Sequence, residues 1–263
     1  MTTMSAAMTD SATMLRRSLR RIARYPSMTL MLVGMPIVLL LLFVYVFGGT
    51  LGAGLGAASG GRAAYVNYVA PGIILMAVAG AAQGTAISVA MDMTAGIIAR
   101  FRTMDISRGA VLTGHLLGSV IQTMLSLVVV IGVAIGVGFR PNAGPVEWLA
   151  TAAILTLVAV ALSWLSLALG LVSKSVETAS SLPMVLMLLP FLGSGFVPTD
   201  SMPTGLRWFG DYQPFTPIIE TLRGLLLGTP IGNRAVIAIA WCLGIAFLSY
   251  LWARRLFDRH ATR

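Results

Sequence analysis

Few residues in this 263-residue chain are of a type that does chemistry, and their spacing argues against most reactions. There are two histidines and one cysteine, scattered rather than grouped at the short intervals a tetrahedral zinc site needs. Cys242 lies in an apolar run, so it offers no disulfide framework and reads as a packing residue. Lys174, the one lysine, sits in GLVSKS without the glycines of GxxxxGK(S/T), so ATP is not held here by a phosphate loop. The run GAGLGA resembles a nucleotide-binding glycine turn only superficially, because no strand precedes it and no helix with a following acid completes the unit. It reads as a flexible external loop. No nucleophile, base and orienting acid are grouped as acyl transfer requires. What remains is a compact island of charge from Met91 to Gly109, MDMTAGIIARFRTMDISRG, between two long apolar runs. It carries Asp92, Arg100, Arg102, Asp105 and Arg108. Each such charge at a bilayer centre costs roughly 2.5 to 3.5 kcal/mol. Together they place the segment outside the lipid, as a loop that water or protein can reach.

The elements that must position this island are membrane helices. Hydrophobic residues make up 57% of the chain, charged residues 10%, and mean hydropathy is +0.88, against about 25% charged in soluble domains. The class expected is an all-α polytopic membrane protein. There is room for about six spans of roughly 20 residues with short connections, and little for a soluble domain, so any large partner domain belongs to another chain. The net charge of +9 follows from arginines at the ends of apolar runs, a topology signal rather than a nucleic-acid patch.

Residues 1–27 are expected to hold a polar tail and an amphipathic helix from Thr13 to Tyr25. Leu15, Leu19 and Ile22 recur at helical spacing, with Arg16, Arg17, Arg20, Arg21 and Arg24 on the other faces. Such a helix lies on an anionic cytoplasmic leaflet. The alternative, the charged start of a signal peptide, is disfavoured because Met28 to Phe47 is longer than the 7 to 15 residues of a signal core. Spans are expected at about 28–47, 66–91, 111–139, 148–173, 178–197 and 235–252, making a transmembrane domain over 28–253 with a basic tail at 254–263. Pro36 is a tolerated kink inside the first span, Pro71 lies near the start of the second, Trp148 is an interfacial anchor, and Asp105 a helix cap. Gly80 and Gly84, and again Gly132 and Gly136, form GxxxG pairs that permit close helix approach. Gln83, His115 and Gln122 are candidate pathway or bundle-interior polar residues. The last two are seven apart and share a helix face. For His115 the expectation is a satisfied interhelical hydrogen bond, with a proton relay as the alternative.

Pro183 and Pro190 break the fifth span. The stretch from Pro198 to Arg234 is too long for a structureless loop. Its apolar piece, Ile218 to Leu227, is too short to cross a bilayer, so a short external re-entrant helix is expected, with Glu220 and Arg223 pairing on one face. An exposed surface helix is the alternative. Basic residues are concentrated on one side, in Arg16 to Arg24, Arg100, Arg102, Arg108, Lys174 and Arg254 to Arg263. The other side has Arg62, Arg140, Arg207, Arg223 and Arg234. Both termini and the charged island are therefore expected to be cytoplasmic.

With ARFRTMDISRGAVLTG in the island and FVPTDSMPTGLRWFGDYQPFTPIIETLRGLLLG from Phe196 to Gly228, the chain resembles the permeases of type-2 ABC exporters, of the daunorubicin-resistance-like branch. The resemblance implies a plasma-membrane subunit that exports a hydrophobic drug, lipid or glycolipid. It implies two permeases, either two copies or a copy with a homologous permease, working with cytosolic ABC ATPase subunits that bind ATP and Mg. No cofactor is expected in this chain, and no nucleic acid among its partners. It also implies that Asp92 to Asp105 contains a coupling helix. Ile97, Phe101 and Met104 would be its anchors, with Asp92, Arg100, Arg102, Asp105 and Arg108 around them. The helix bearing Leu15, Arg16, Leu19, Arg20 and Ile22 would be the interface helix beside the ATPase. An ion-coupled secondary carrier would need a carboxylate pair or relay inside a span, which is missing. A membrane enzyme or scaffold would need a clustered polar constellation, missing too.

Overall fold

The computed structural model describes residues 26–55, 61–94 and 108–261, and among these all regular structure is helical. α1 is Pro26–Leu41, continued by a π-helical stretch Leu42–Phe47 and the short α2, Gly48–Ala53. α3 is Gly61–Thr94, α4 Arg108–Val137 and α5 Pro145–Val172. The broken region holds α6, Val176–Ser181, and α7, Met184–Leu188. After a 3-10 turn at Thr199–Ser201 come α8, Thr204–Tyr212, α9, Phe215–Leu227, and α10, Arg234–Ala261.

Five of these helical stretches are long and apolar enough to cross a bilayer: Leu32–Ala53, Gly61–Thr94, Leu112–Val137, Pro145–Val172 and Arg234–Leu256. The chain is thus an all-helical, multi-pass membrane protein. α3 is the hub, mostly buried inside the bundle, whereas α10 is mostly exposed at its surface. It packs on α1, α4, α5, α6, α7 and α9, whereas α10 rests mainly on α5 and α9. A helix apolar on every side must be buried or face lipid. α3 takes the first course and the outer face of α10, with Val236, Leu243, Phe247 and Leu248 exposed, the second.

The fifth expected span, 178–197, is not one continuous helix. Ser175 caps α6 by accepting from the Thr178 amide at 3.3 Å. The helix then stops before Pro183, restarts as α7, and turns from Pro190 to Val197. Proline removes a backbone donor and clashes with the preceding turn, and two of them seven residues apart leave no room for recovery. The turn is held against α3 by backbone contact: a Cβ on Gly72 would lie 2.6 Å from the Gly195 carbonyl oxygen. Phe191 stacks on Phe196 at 4.2 Å, and Phe43 of the π stretch meets Phe196 at 4.6 Å.

Other boundaries also move. The glycine-rich connection after residue 47 is helical through Ala53, and α3 begins at Gly61, five residues earlier than expected. Gly61 has φ 64°, and a Cβ on Gly52 would overlap its carbonyl. Glycine is needed here for a tight turn and close contact, not for a phosphate. Between Pro198 and Arg234 the structure has two helices, α8 as well as the expected short one.

Candidate functional site

Among the described residues, three polar features stand out inside the bundle. The first is where α3 ends and α4 begins. Asp92, expected in the surface loop, instead occupies the last turn of α3 and is buried, at 4% exposure. Its Oδ2 lies 3.2 Å from His115 Nε2 on α4. The helix outlasts the apolar run because Met91 to Thr94 keep helical spacing, and Thr94 donates its hydroxyl to the Ala90 carbonyl at 3.0 Å. His115 therefore makes an interhelical contact, and its partner is a carboxylate.

The second feature is a hydroxyl seam where α3, α4 and α5 cross. Thr85 and Ser119 approach to 2.5 Å and Ser119 and Ser163 to 2.9 Å, all three buried. A Cβ on Gly170 of α5 would come within 2.7 Å of the Ala86 carbonyl, so the two backbones touch beside the seam. In lipid the force that joins helices is close packing and interhelical hydrogen bonding, and this crossing has both. Serine and threonine at single positions among Ala, Val and Leu carry no periodic signal, which is why sequence reading passed over them. Gln122 is half-buried nearby, its carbonyl accepting from Ser126. The GxxxG pairs take little part: nothing lies within 4 Å of a Cβ on Gly132 or Gly136, while Gly80 and Gly84 meet only flexible side-chain ends at ordinary distance.

The third feature surrounds the broken segment. Irregular backbone shut away from water needs hydrogen-bond partners, and here side chains supply them. Gln83 donates to the Ser180 carbonyl at 2.6 Å, and Gln213 to that of Leu189 at 2.7 Å. Arg223 donates to that of Ser194 at 2.7 Å, and Tyr65 to that of Phe196 at 3.2 Å. Thr216 Oγ1 accepts from the Ser194 amide at 3.3 Å. Arg223 also donates to the Tyr68 carbonyl at 3.2 Å, with its guanidinium 4.0 Å from the centre of that ring. The expected Glu220–Arg223 pair is therefore not the one formed. Arg223 is drawn inward by two carbonyls and an aromatic face, and Glu220 pairs instead with Arg234 at the start of α10, 2.9 Å away. Partial burial pushes the Glu220 carboxyl up, opposed by Arg234 and Arg223. On α8, Arg207 pairs with Asp200 and, at 3.7 Å, with Asp211, leaving Trp208 and Tyr212 exposed on another face.

The remaining candidates from sequence, Leu15, Arg16, Leu19, Arg20 and Ile22, and Ile97, Arg100, Phe101, Arg102, Met104 and Asp105, lie outside the described residues. Arg108 opens α4.

Several helices with a buried polar seam, a broken fifth segment and two short helices before the last span do not by themselves name a family. The family model for ABC-2 type transporters matches residues 10–227. The chain belongs to the ABC-2 type transporter family. Among individual proteins it is similar to the daunorubicin resistance ABC transporter permease protein DrrB1 of Streptomyces coeruleorubidus. The two are 28% identical over 226 residues, covering 86% of this chain and 77% of that one. It is also 24% identical over 177 residues to the probable doxorubicin resistance ABC transporter permease protein DrrC of Mycobacterium tuberculosis, covering 67% of this chain and 64% of that one. As a family member the chain is a membrane permease subunit of an ABC transporter.

Proposed function

We propose that this permease forms the passage of an ABC exporter for a hydrophobic drug, lipid or glycolipid, while a separate ABC ATPase binds ATP and Mg and hydrolyses it. The observation that carries this reading is the family match over residues 10–227, in a chain whose sequence lacks a phosphate loop. The drug named for each relative belongs to that relative. The substrate class here rests on chemistry: α3, α4 and α5 meet mainly through apolar side chains and hydroxyls, with the Asp92–His115 pair the charged exception near one end, which suits a solute that travels from lipid rather than a hydrated ion.

In this reading the broken segment 176–197 completes six passes, α8 and α9 are the external re-entrant elements, and both termini face the cytoplasm. The segment 92–105 presents Phe101 and its neighbours to a groove of the ATPase, with Ile97 and Met104 as further anchors and Arg100, Arg102 and Arg108 as charge partners. The helix bearing Leu15, Leu19 and Ile22 lies on the leaflet beside it. A motor moves membrane helices only through a stiff element seated in its surface, and a buried aromatic with flanking arginines is the usual energetic centre of such a contact. Two permeases complete the passage, either two copies or this chain with a homologous one.

The test uses the permease reconstituted with its ATPase in lipid vesicles. Phe101→Ala with Arg102→Ala should leave membrane insertion intact and lower ATP-driven substrate movement at least about ten-fold, equivalent to ~1.4 kcal/mol. Transport unchanged by the double substitution would defeat the docking assignment. Uphill transport by the permease alone would defeat the exporter assignment.

A further inference from the structure

We infer that Asp92 and His115 form a clasp that makes α3 and α4 answer a push on residues 95–107 as one body. The inference rests on the docking reading above and assigns Asp92 a role inside the permease rather than against the ATPase. Asp92 is two residues from the end of α3, and His115 is two turns into α4. Their 3.2 Å contact closes the chain into a loop containing the charged segment. A force on that loop meets a fastened base instead of two independent helix ends.

The chemistry of the fastening matters. A buried carboxylate is costly unless a donor meets it, and apolar side chains of similar size would hold two helices together at less cost. What leucine against leucine does not provide is direction. A hydrogen bond from a ring nitrogen to a carboxylate oxygen fixes the rotation of each helix about its own axis and the register between them. The Thr85–Ser119 contact repeats the fastening seven residues back along α3 and four residues on along α4, and Ser163 adds α5. Two directional contacts at different depths prevent the helices from pivoting about either one. A displacement at the loop therefore reaches the centre of the bundle as a common motion of α3, α4 and α5.

The experiment follows motion directly and needs no substrate. In the permease–ATPase complex in lipid vesicles, with Cys242→Ala, spin labels are placed at Val129→Cys and Leu243→Cys. Both sites are exposed on the outer faces of α4 and α10. The label distance is measured without nucleotide and with ATP. Asp92→Ala and His115→Ala should each lower the ATP-driven distance change at least two-fold while the ATPase still co-purifies and hydrolyses ATP. His115→Gln, whose amide can still donate to the carboxylate, should keep the full change, as should the exchange Asp92→His with His115→Asp. Alanine variants that move like the parent overturn the clasp. So does a glutamine variant or an exchange as impaired as the alanines, the glutamine result pointing to a proton relay at His115. Loss of the ATPase from the alanine variants alone shows that Asp92 or His115 serves the docking surface and overturns it as well. A labelled complex that keeps Asp92 and His115 yet shows no ATP-driven change defeats the docking reading itself.

Discussion

Arg223 and Glu220 show how much two neighbours on one short helix can differ. Arg223 gives two charge-assisted hydrogen bonds to carbonyls and stacks on Tyr68, contacts worth roughly 1.5 to 3 kcal/mol each for the bonds and about 0.5 to 2 for the ring. Because these share one guanidinium, Arg223→Ala should cost about 2 to 4 kcal/mol and lower the melting midpoint of the purified protein by several degrees. Arg223→Lys should recover only part, since both bonds leave one guanidinium nitrogen and an ammonium can also donate to two carbonyls, but it cannot stack flat on the Tyr68 ring. Glu220 and Arg234 are 26% and 37% exposed, and such a pair is worth under about 1 kcal/mol. Glu220→Gln should therefore leave the same midpoint nearly unchanged. Equal effects of Arg223→Ala and Glu220→Gln would show that the inward contacts of Arg223 are not what holds the broken segment. Tyr65→Phe tests one bond at a time: losing the donor to the Phe196 carbonyl should cost about 1 kcal/mol.

At the scale of elements, glycines fall into those a neighbour touches and those it does not. A methyl on Gly72 or Gly170 meets backbone oxygen at 2.6 or 2.7 Å, and backbone cannot rotate away as a side chain can. Gly72→Ala and Gly170→Ala should each destabilise by about 1 to 3 kcal/mol through forced helix displacement, read as a lower yield of folded protein and a lower melting midpoint. Gly132→Ala and Gly136→Ala, with nothing within 4 Å, should leave both unchanged in the single subunit. The sequence motif pointed to the second pair and the packing points to the first. A GxxxG pattern records that two small residues share a helix face, whereas close approach depends on which face another helix takes.

For the whole molecule the question is which side of the membrane each end occupies. α3, α4 and α5 alternate, so the 94 to 108 connection and the end of α5 lie at one end. Asn67, the Arg140 amide and the bond from the Asn142 amide to the Leu226 carbonyl lie at the other. The proposed orientation, which follows the distribution of arginine, puts the first end in the cytoplasm. With Cys242 replaced by Ala, a cysteine at Phe101 should then react with a membrane-impermeant thiol reagent only in inverted vesicles or opened cells, and one at Trp208, 67% exposed on α8, only from outside. Labelling of Phe101→Cys in intact cells would reverse the assigned orientation.

Long apolar runs were legible from the chain alone because helix length and hydropathy are local quantities set against one fixed bilayer thickness. So were the absence of a phosphate loop and the resemblance carried by the segments around Arg100 and Phe196. Proline likewise marked the fifth span as broken, since its effect acts within a turn of itself. Folding alone decided the partners: that Asp92 faces His115 rather than water, that Arg223 turns from Glu220 to the Ser194 carbonyl, and that Thr85, Ser119 and Ser163 meet. Those choices join residues 23, 29 and up to 78 positions apart. They depend on the rotation of each helix about its axis, which hydropathy leaves open when nearly every face is apolar, and which packing against α3 settles.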